Sequence, residues 1–282
     1  QPMPVERLLT SLPLALKAAG RDQDAANRFG DAICTTDRFA KGASQTIDGS
    51  TISVFAKGAG MIAPNMATML AYAVTDAALE ADDLTAIWTR CMAGSFNAVI
   101  VDGDTSTNDT AVVLAGGQGE PLKGDALLRF EAALLETCQR AAVQLVEDGE
   151  GARCVVEINV TSAATPGDAL TVARTIALSP LCKTAFFGAD PNWGRIVAAA
   201  GRSGVEFDPG QTRLVLHGEQ GQAIPLFDHG APLDFDKSAA GSLMRSSRYS
   251  FCLDLGAGGA KSRLWTCDLG HDYVTLNAEY TT

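Results

Sequence analysis

The run Lys57-Gly-Ala-Gly-Met-Ile-Ala-Pro-Asn-Met-Ala-Thr-Met-Leu70 puts a cation, two glycines, a Pro-Asn corner and a threonine in one short stretch. A glycine-rich, tightly bent approach can bring a backbone carbonyl against a hydroxyl. The carbonyl here would be that of Ala67, a residue small enough to leave it open to attack by Thr68. A hydroxyl is a weak nucleophile until a base takes its proton. If Thr68 cleaved the peptide bond before it, it would become a chain end. Its own α-amino group, with an unperturbed pKa of roughly 7.7–8.0, would then be that base. The expected chemistry is self-cleavage at Ala67–Thr68 followed by acyl transfer from a threonine nucleophile. The bland counterpart is a threonine that simply opens a strand. A phosphate-binding loop is excluded, because the G-x-x-x-x-G-K-[ST] pattern is absent and two glycines alone are weak.

Other charged residues admit two readings each. Lys57 suits a substrate carboxylate, or is a solvated charge at a hairpin end. Glu150 could hold an ammonium group, or belongs to the turn that ends a helix. The loop Asp102–Asp109 carries several carboxylates, but its spacing departs from a calcium-binding EF-hand loop and lacks the terminal Glu. It reads as a hydrogen-bonded loop near the active site. Asp190 to Arg195 reads as architectural, with Asp190 capping a helix begun by Pro191 and Trp193 packing.

These residues need elements to hold them. An amphipathic helix is expected over 4–20, ending at Gly20, with Pro13 a candidate break. A polar turn and a short segment, 32–36, follow. Asp48-Gly49 signals a two-residue hairpin between 45–47 and 50–56. A strand is expected to start at Thr68 and run to Val74. Asp82 and Asp83 suit the start of a helix over about 83–97. Strands follow at 98–101 and 111–115, then a long helix over 123–147 with an apolar stripe. The second half alternates again, with strands at 155–160, 212–217, 248–255 and 263–268 and helices at 166–177 and 191–200. Helices mixed with hairpins favour an α+β class of mixed or antiparallel sheets covered by helices.

A length of 282 residues, 46% hydrophobic and 20% charged, is enough for a sizeable core. A net charge of −11 argues against binding a phosphate backbone, so no nucleic acid is expected. No apolar run reaches the roughly 20 residues that span a bilayer, so no membrane partner is expected either. Seven widely spaced cysteines, without a C-x-x-C pair, read as buried reduced thiols in a cytoplasmic protein. The three histidines lie far from any cysteine pair, so no metal is expected.

The stretch 57–70 resembles the self-cleavage motif of the ornithine acetyltransferase, or glutamate N-acetyltransferase, family of arginine biosynthesis. So do Asp102-Gly-Asp-Thr-Ser-Thr-Asn-Asp109, Asp148-Gly-Glu-Gly-Ala152, Gly188-Ala-Asp-Pro-Asn-Trp-Gly-Arg195 and the terminal Leu276-Asn-Ala-Glu-Tyr-Thr-Thr282. The matches run from near residue 4 to the last residue.

The resemblance implies a layered αββα-type sandwich with a C-terminal α/β domain, divided here as 1–180 and 181–282. It makes Thr68 the nucleophile and Ala67–Thr68 the cleaved bond. Thr35, Lys57, Thr68, Glu150, Asn277 and Thr282 become substrate contacts, the last two through neutral hydrogen bonds. The implied reaction moves an acetyl group from N2-acetylornithine to glutamate. No cofactor is implied, although acetyl-CoA is a possible second donor. The implied assembly is a heterotetramer of two cleaved pairs. The family also places an oxyanion-hole Thr-Gly pair upstream of the segment that Gln1-Pro-Met-Pro resembles, so a longer natural chain is expected. Arg153 stands where the family more often has Lys. The alternative from another reaction class is an N-terminal-nucleophile amidohydrolase or aminopeptidase, with water as acceptor. A non-catalytic remnant is the third.

Overall fold

The structure, a computed structural model, describes residues 3–63, 69–105 and 109–279. The first half runs α1 (Val5–Lys17), α2 (Gln23–Ile33), β1 (Lys41–Ile47), β2 (Ser50–Lys57), β3 (Leu70–Ala77), α3 (Ala81–Ala93), β4 (Val99–Ile100), β5 (Thr110–Gln118) and α4 (Gly124–Glu147). The second runs β6 (Val155–Ala163), α5 (Pro166–Ala177), α6 (Pro180–Phe187), α7 (Trp193–Gly201), β7 (Arg213–Gly218), β8 (Ala223–Asp228), β9 (Ala231–Pro232), α8 (Lys237–Met244), β10 (Arg248–Asp254), β11 (Ala260–Cys267) and α9 (His271–Glu279). Among the described residues no helix is long and apolar enough to cross a membrane.

Two mixed sheets organise these elements, in the expected α+β class. One has strand order β1-β2-β3-β5, and the other β4-β11-β6-β10-β7-β8-β9. The hairpin between β1 and β2 closes with Ile47 opposite Ser50. Asp48 and Gly49 both take the left-handed conformation, φ 49° and 84°, which a two-residue turn of matching twist requires. β3 and β5 run parallel, with Leu70 opposite Thr110, because α3 and β4 carry the chain back between them. In the larger sheet β6 lies between β11 and β10, antiparallel to the first and parallel to the second. The line between 1–180 and 181–282 therefore passes through this sheet.

Period-two alternation sends Ile52, Val54 and Ala56 into the core while Phe55 and Lys57 face the other way. The inward face meets α4, where Gln45 Nε2 donates to Ala133 O at 2.5 Å and to Thr137 Oγ1 at 2.7 Å. On the outward face Phe29 of α2 stands edge-on to Phe55 and Tyr72, 5.3 and 5.4 Å between centroids. The far side of α4 packs on β4 and β11, and α5 covers the other face of the larger sheet.

Several local expectations need correction. The first helix ends at Lys17 and carries Pro13 inside it without a break. It is α2, not a short segment at 32–36, that precedes β1. Its start is capped by Asp22, whose carboxylate accepts from Ala25 N at 2.8 Å. α3 begins after Glu80, so Asp82 and Asp83 lie in its first turn, where they favour the helix dipole without capping it. It stops at Ala93, and residues 96–98 form a separate short 3₁₀ turn. Asn192, not Asp190, caps α7, accepting from Arg195 N at 3.2 Å. Asp190 instead accepts from Asn192 Nδ2 at 3.0 Å and so orients the cap. Trp193 packs as expected, stacked on Phe227 at 5.3 Å. α6, α8, α9 and the β8–β9 hairpin have no counterpart in the sequence reading.

Candidate active site

β2 ends at Lys57, which stands opposite Leu70 at the head of β3. Leu70 in turn pairs with Thr110 at the head of β5, so three neighbouring strands end in a row. Beyond Lys57 the chain turns at Gly58, whose φ of 138° lies in a region that side-chain-bearing residues avoid. Met61 follows with φ 52°, an uncommon conformation for a residue other than glycine, asparagine or aspartate. A turn under this much constraint needs external partners, and carboxylates supply them.

Asp37 is the first. Its Oδ1 accepts from Gly58 N at 2.6 Å and from Lys41 Nζ at 2.5 Å, while its Oδ2 accepts from Thr35 N at 3.0 Å. Burial pushes this carboxyl up. The Gly58 amide, the Lys41 ammonium and the Thr35 amide together outweigh it and hold the group below the usual carboxylate range. Lys41 Nζ also donates to Asp148 Oδ2 at 2.5 Å. The side chains of Asp37, Lys41 and Asp148 are all 0% exposed. Arg38 closes the cluster, its Nε 2.7 Å from Asp148 Oδ1 and its amide 2.9 Å from Asp148 Oδ2. Burying two carboxylates and one ammonium is costly to desolvate, and the cluster survives because each oxygen and the ammonium find hydrogen bonds, with the exposed Arg38 closing it.

The expected substrate contacts gather around this turn. Lys57 Nζ lies 3.4 Å from Thr35 Oγ1. Glu150, just past the end of α4, donates its amide to Ala59 O at 2.9 Å. Its carboxylate lies against Gly60 so closely that a Cβ there would stand 2.7 Å from the carboxyl carbon. Asn277 Nδ2 donates to Glu150 Oε2 at 2.9 Å and to Tyr273 O at 3.0 Å. α9 can come this near because Gly151 has φ 70° and no side chain. A Cβ on Gly151 would be 2.4 Å from Tyr273 N. Thr35, Lys57, Glu150 and Asn277 thus form one neighbourhood around residues 57–62, although they span most of the chain. Ala67, Thr68 and Thr282 lie outside the described residues.

Asp102 and Asp109 brace the chain on the other side. Asp102 accepts from Met61 N at 2.7 Å and Ile62 N at 3.1 Å, and Asp109 Oδ1 accepts from Met69 N at 2.9 Å. Tyr273 also hydrogen-bonds Asp102. Its phenol is pushed up to about 12, first by burial and then by the nearby carboxylates Asp102, Asp104 and Glu150.

Asp37, Lys41 and Tyr273 escaped the sequence reading, and Asp148 was seen only as part of a motif. Asp37 follows Thr35 by two residues, which was the one available signal. Lys41 lies 107 residues from Asp148, and nothing in the order of residues marks that pair. Arg153 lies off this neighbourhood. Its guanidinium stacks on Phe187 at 3.6 Å and its Nε pairs with Asp268 at 3.4 Å, uses suited to a planar fork. A cavity of about 200 Å³ lined by Glu157, His217, Arg248 and Trp265 contains none of the expected residues. Glu157 is occupied there by Trp265 Nε1 at 2.9 Å and Asn159 Nδ2 at 2.7 Å.

The turn at 57–62, braced by buried carboxylates, thus gathers a cation, an acid and two neutral hydrogen-bonding side chains in one place. The sequence profile of the ArgJ family matches residues 1–282. The arginine biosynthesis bifunctional protein ArgJ of Thermus thermophilus is 45% identical over all of this chain and 70% of its own length. The protein of the same description from Parasynechococcus marenigrum is 44% identical, over all of this chain and 68% of its own. The crystal structure of the arginine biosynthesis bifunctional protein ArgJ from Bacillus halodurans superposes with a TM-score of 0.68 at 35% identity. It covers 73% of this chain and 96% of its own. The chain belongs to the ArgJ family.

Proposed function

We propose that this enzyme serves arginine biosynthesis by moving an acetyl group from N2-acetylornithine to glutamate through a threonyl ester at Thr68. The chain first cuts itself at Ala67–Thr68. The Thr68 hydroxyl attacks the Ala67 carbonyl carbon, the C–N bond breaks, the freed α-amine takes the proton, and water releases the ester. In the processed enzyme the same hydroxyl attacks the acetyl carbonyl. Its proton passes through the α-amine to the departing ornithine nitrogen, and the glutamate amine then takes the acetyl group from the ester.

The observation that carries this reading is the convergence of Thr35, Lys57, Glu150 and Asn277 on the turn at 57–62, six residues before Thr68. An ammonium donates up to three hydrogen bonds, so Lys57 can bind a substrate carboxylate while it keeps Thr35. Glu150 offers a carboxylate for the ornithine ammonium, steadied by Asn277. Thr282 is the further contact expected from the tail. No cofactor is needed for this chemistry, and acetyl-CoA is a possible second donor, in keeping with relatives described as bifunctional. The assembly we expect is two cleaved pairs in a heterotetramer, in the cytoplasm.

The test is a denaturing gel with N-terminal sequencing, followed by an acetyl-transfer assay. Wild type should give fragments 1–67 and 68–282, the larger beginning Thr-Met-Leu, and Thr68→Ala should give one chain without transfer. A Thr68→Ala protein that still splits at that bond would refute the nucleophile. Acetylornithine hydrolysis with no transfer to glutamate would refute the acceptor and leave an amidohydrolase.

A further inference from the structure

Residues 101–102 and 109–110 hold the chain at Met61–Ile62 and at Met69, the two sides in sequence of residues 63–68. On the upstream side Val101 N donates to Ile62 O at 2.8 Å, and Asp102 accepts from Met61 N and Ile62 N at 2.7 and 3.1 Å. On the downstream side Asp109 Oδ1 accepts from Met69 N at 2.9 Å, and Thr110 N donates to Met69 O at 3.2 Å. Residues 62 and 69 are thus fastened to the same short loop, in each case through one amide and one carboxylate. Hydrogen bonds to an ionised acceptor are about twice as strong as neutral ones.

Asp109 is the more telling of the two carboxylates. One oxygen holds Met69, while its Oδ2 is buried with no hydrogen-bond partner among the described residues. Burial pushes the group up, against the Met69 amide and the Lys57 ammonium, which favour its charged form. Met69 directly follows the proposed nucleophile, and the chain beside a reacting centre has a strict need to be held still. A misplacement of about 1 Å at a reacting centre costs on the order of 10²-fold in rate.

We infer that Asp109, with Asp102 at the opposite end, is a positioning residue for self-cleavage, fixing Met69 and Ile62, which lie in sequence on either side of the bond at 67–68. This rests on the proposed self-processing. Asp109 acts through the Met69 amide, so the place of its acceptor oxygen matters more than its charge. Asp109→Asn leaves a carbonyl oxygen in the same place, whereas Asp109→Glu keeps the charge and moves the acceptor by one methylene.

The experiment follows self-cleavage of freshly refolded full-length chain on a gel over time, across pH 6 to about 9, for wild type, T68A, D109N and D109E, with a melting curve for each. We expect D109N to cleave within about threefold of wild type with an unshifted pH profile, and D109E to be slowed about tenfold or more. D109E faster than D109N, both slowed alike, or both at the wild-type rate would overturn the inference. A wild-type chain that never cleaves would instead remove the self-processing reading beneath it. Should D109E fail to fold, D102N serves as the second variant. It keeps one acceptor oxygen of the two that hold Met61 and Ile62, and is expected to slow cleavage at least threefold. An unchanged rate there would count against the inference.

Discussion

Replacing Lys41 by Met removes one ammonium and keeps nearly the same stem, so its consequence follows from the buried cluster. Lys41 Nζ stands 2.5 Å from a carboxylate oxygen of both Asp37 and Asp148, and none of the three side chains is exposed. Without it, two carboxylates share one remaining cation, Arg38, which reaches Asp148 alone and is 59% exposed. Breaking a buried pair by deleting one partner costs about 3–5 kcal/mol, because an uncompensated charge stays behind. At about 2–4 °C per kcal/mol for a domain of this size, the melting temperature should fall by roughly 6–20 °C. Substrate binding should weaken too, since Asp37 would take up a proton or move and loosen its hold on Gly58 and Thr35. Adding Asp37→Asn to Lys41→Met removes the unpaired charge and keeps an oxygen for Gly58. The double variant should therefore recover about 0.5–3 kcal/mol relative to the sum of the singles. Urea denaturation read at constant m-value, for both singles and the double, measures this coupling. A Lys41→Met protein melting within 2 °C of wild type, or strict additivity in the double, would refute the reasoning.

Gly60→Ala would put a methyl group 2.7 Å from the Glu150 carboxyl carbon and turn that side chain away from Asn277. Loss of a charged hydrogen bond of about 1.5–3 kcal/mol should raise the KM for acetylornithine about 10- to 100-fold with little change in melting temperature. An unchanged KM would detach Glu150 from the substrate. The seven cysteines are free, and five are buried. Burial pushes the Cys91 and Cys154 thiols up to about 12. A thiol reagent at pH 8 should therefore modify Cys34 and Cys252 first and reach all seven only in denaturant. Fast labelling of Cys91 in the native state would contradict this packing.

Much of this protein is written locally. Asp48-Gly49 names its own hairpin, because two consecutive left-handed residues are what the strand twist demands. The apolar stripe of α4 announces a helix buried along one side, and Phe130, Leu134, Cys138, Ala142 and Val146 are all buried. The turn at Gly58 to Met61 and the residues Thr35, Lys57, Glu150 and Asn277 could be named from their motifs as well. Short-range signals did worse where a helix has few large apolar residues. α2 presents only Phe29 and Ile33 and reads as a polar turn, yet Phe55 and Tyr72 wait for that one ring.

Tertiary structure alone decided what holds the site. Asp37, Lys41 and Asp148 carry no spacing that links them, since a salt bridge across 107 residues depends on where the end of α4 comes to rest against β1. The same holds for Asp102 and Asp109. Their carboxylates could have bound solvent or a cation, until the return of β5 beside β3 set them against the amides of Met61, Ile62 and Met69. Sequence by itself determined which groups could do the chemistry, because nucleophile, cation and acid are matters of residue type. Only the fold decided which carboxylates brace the turn at 57–62 and Met69, because that depends on distances between strands far apart in the chain.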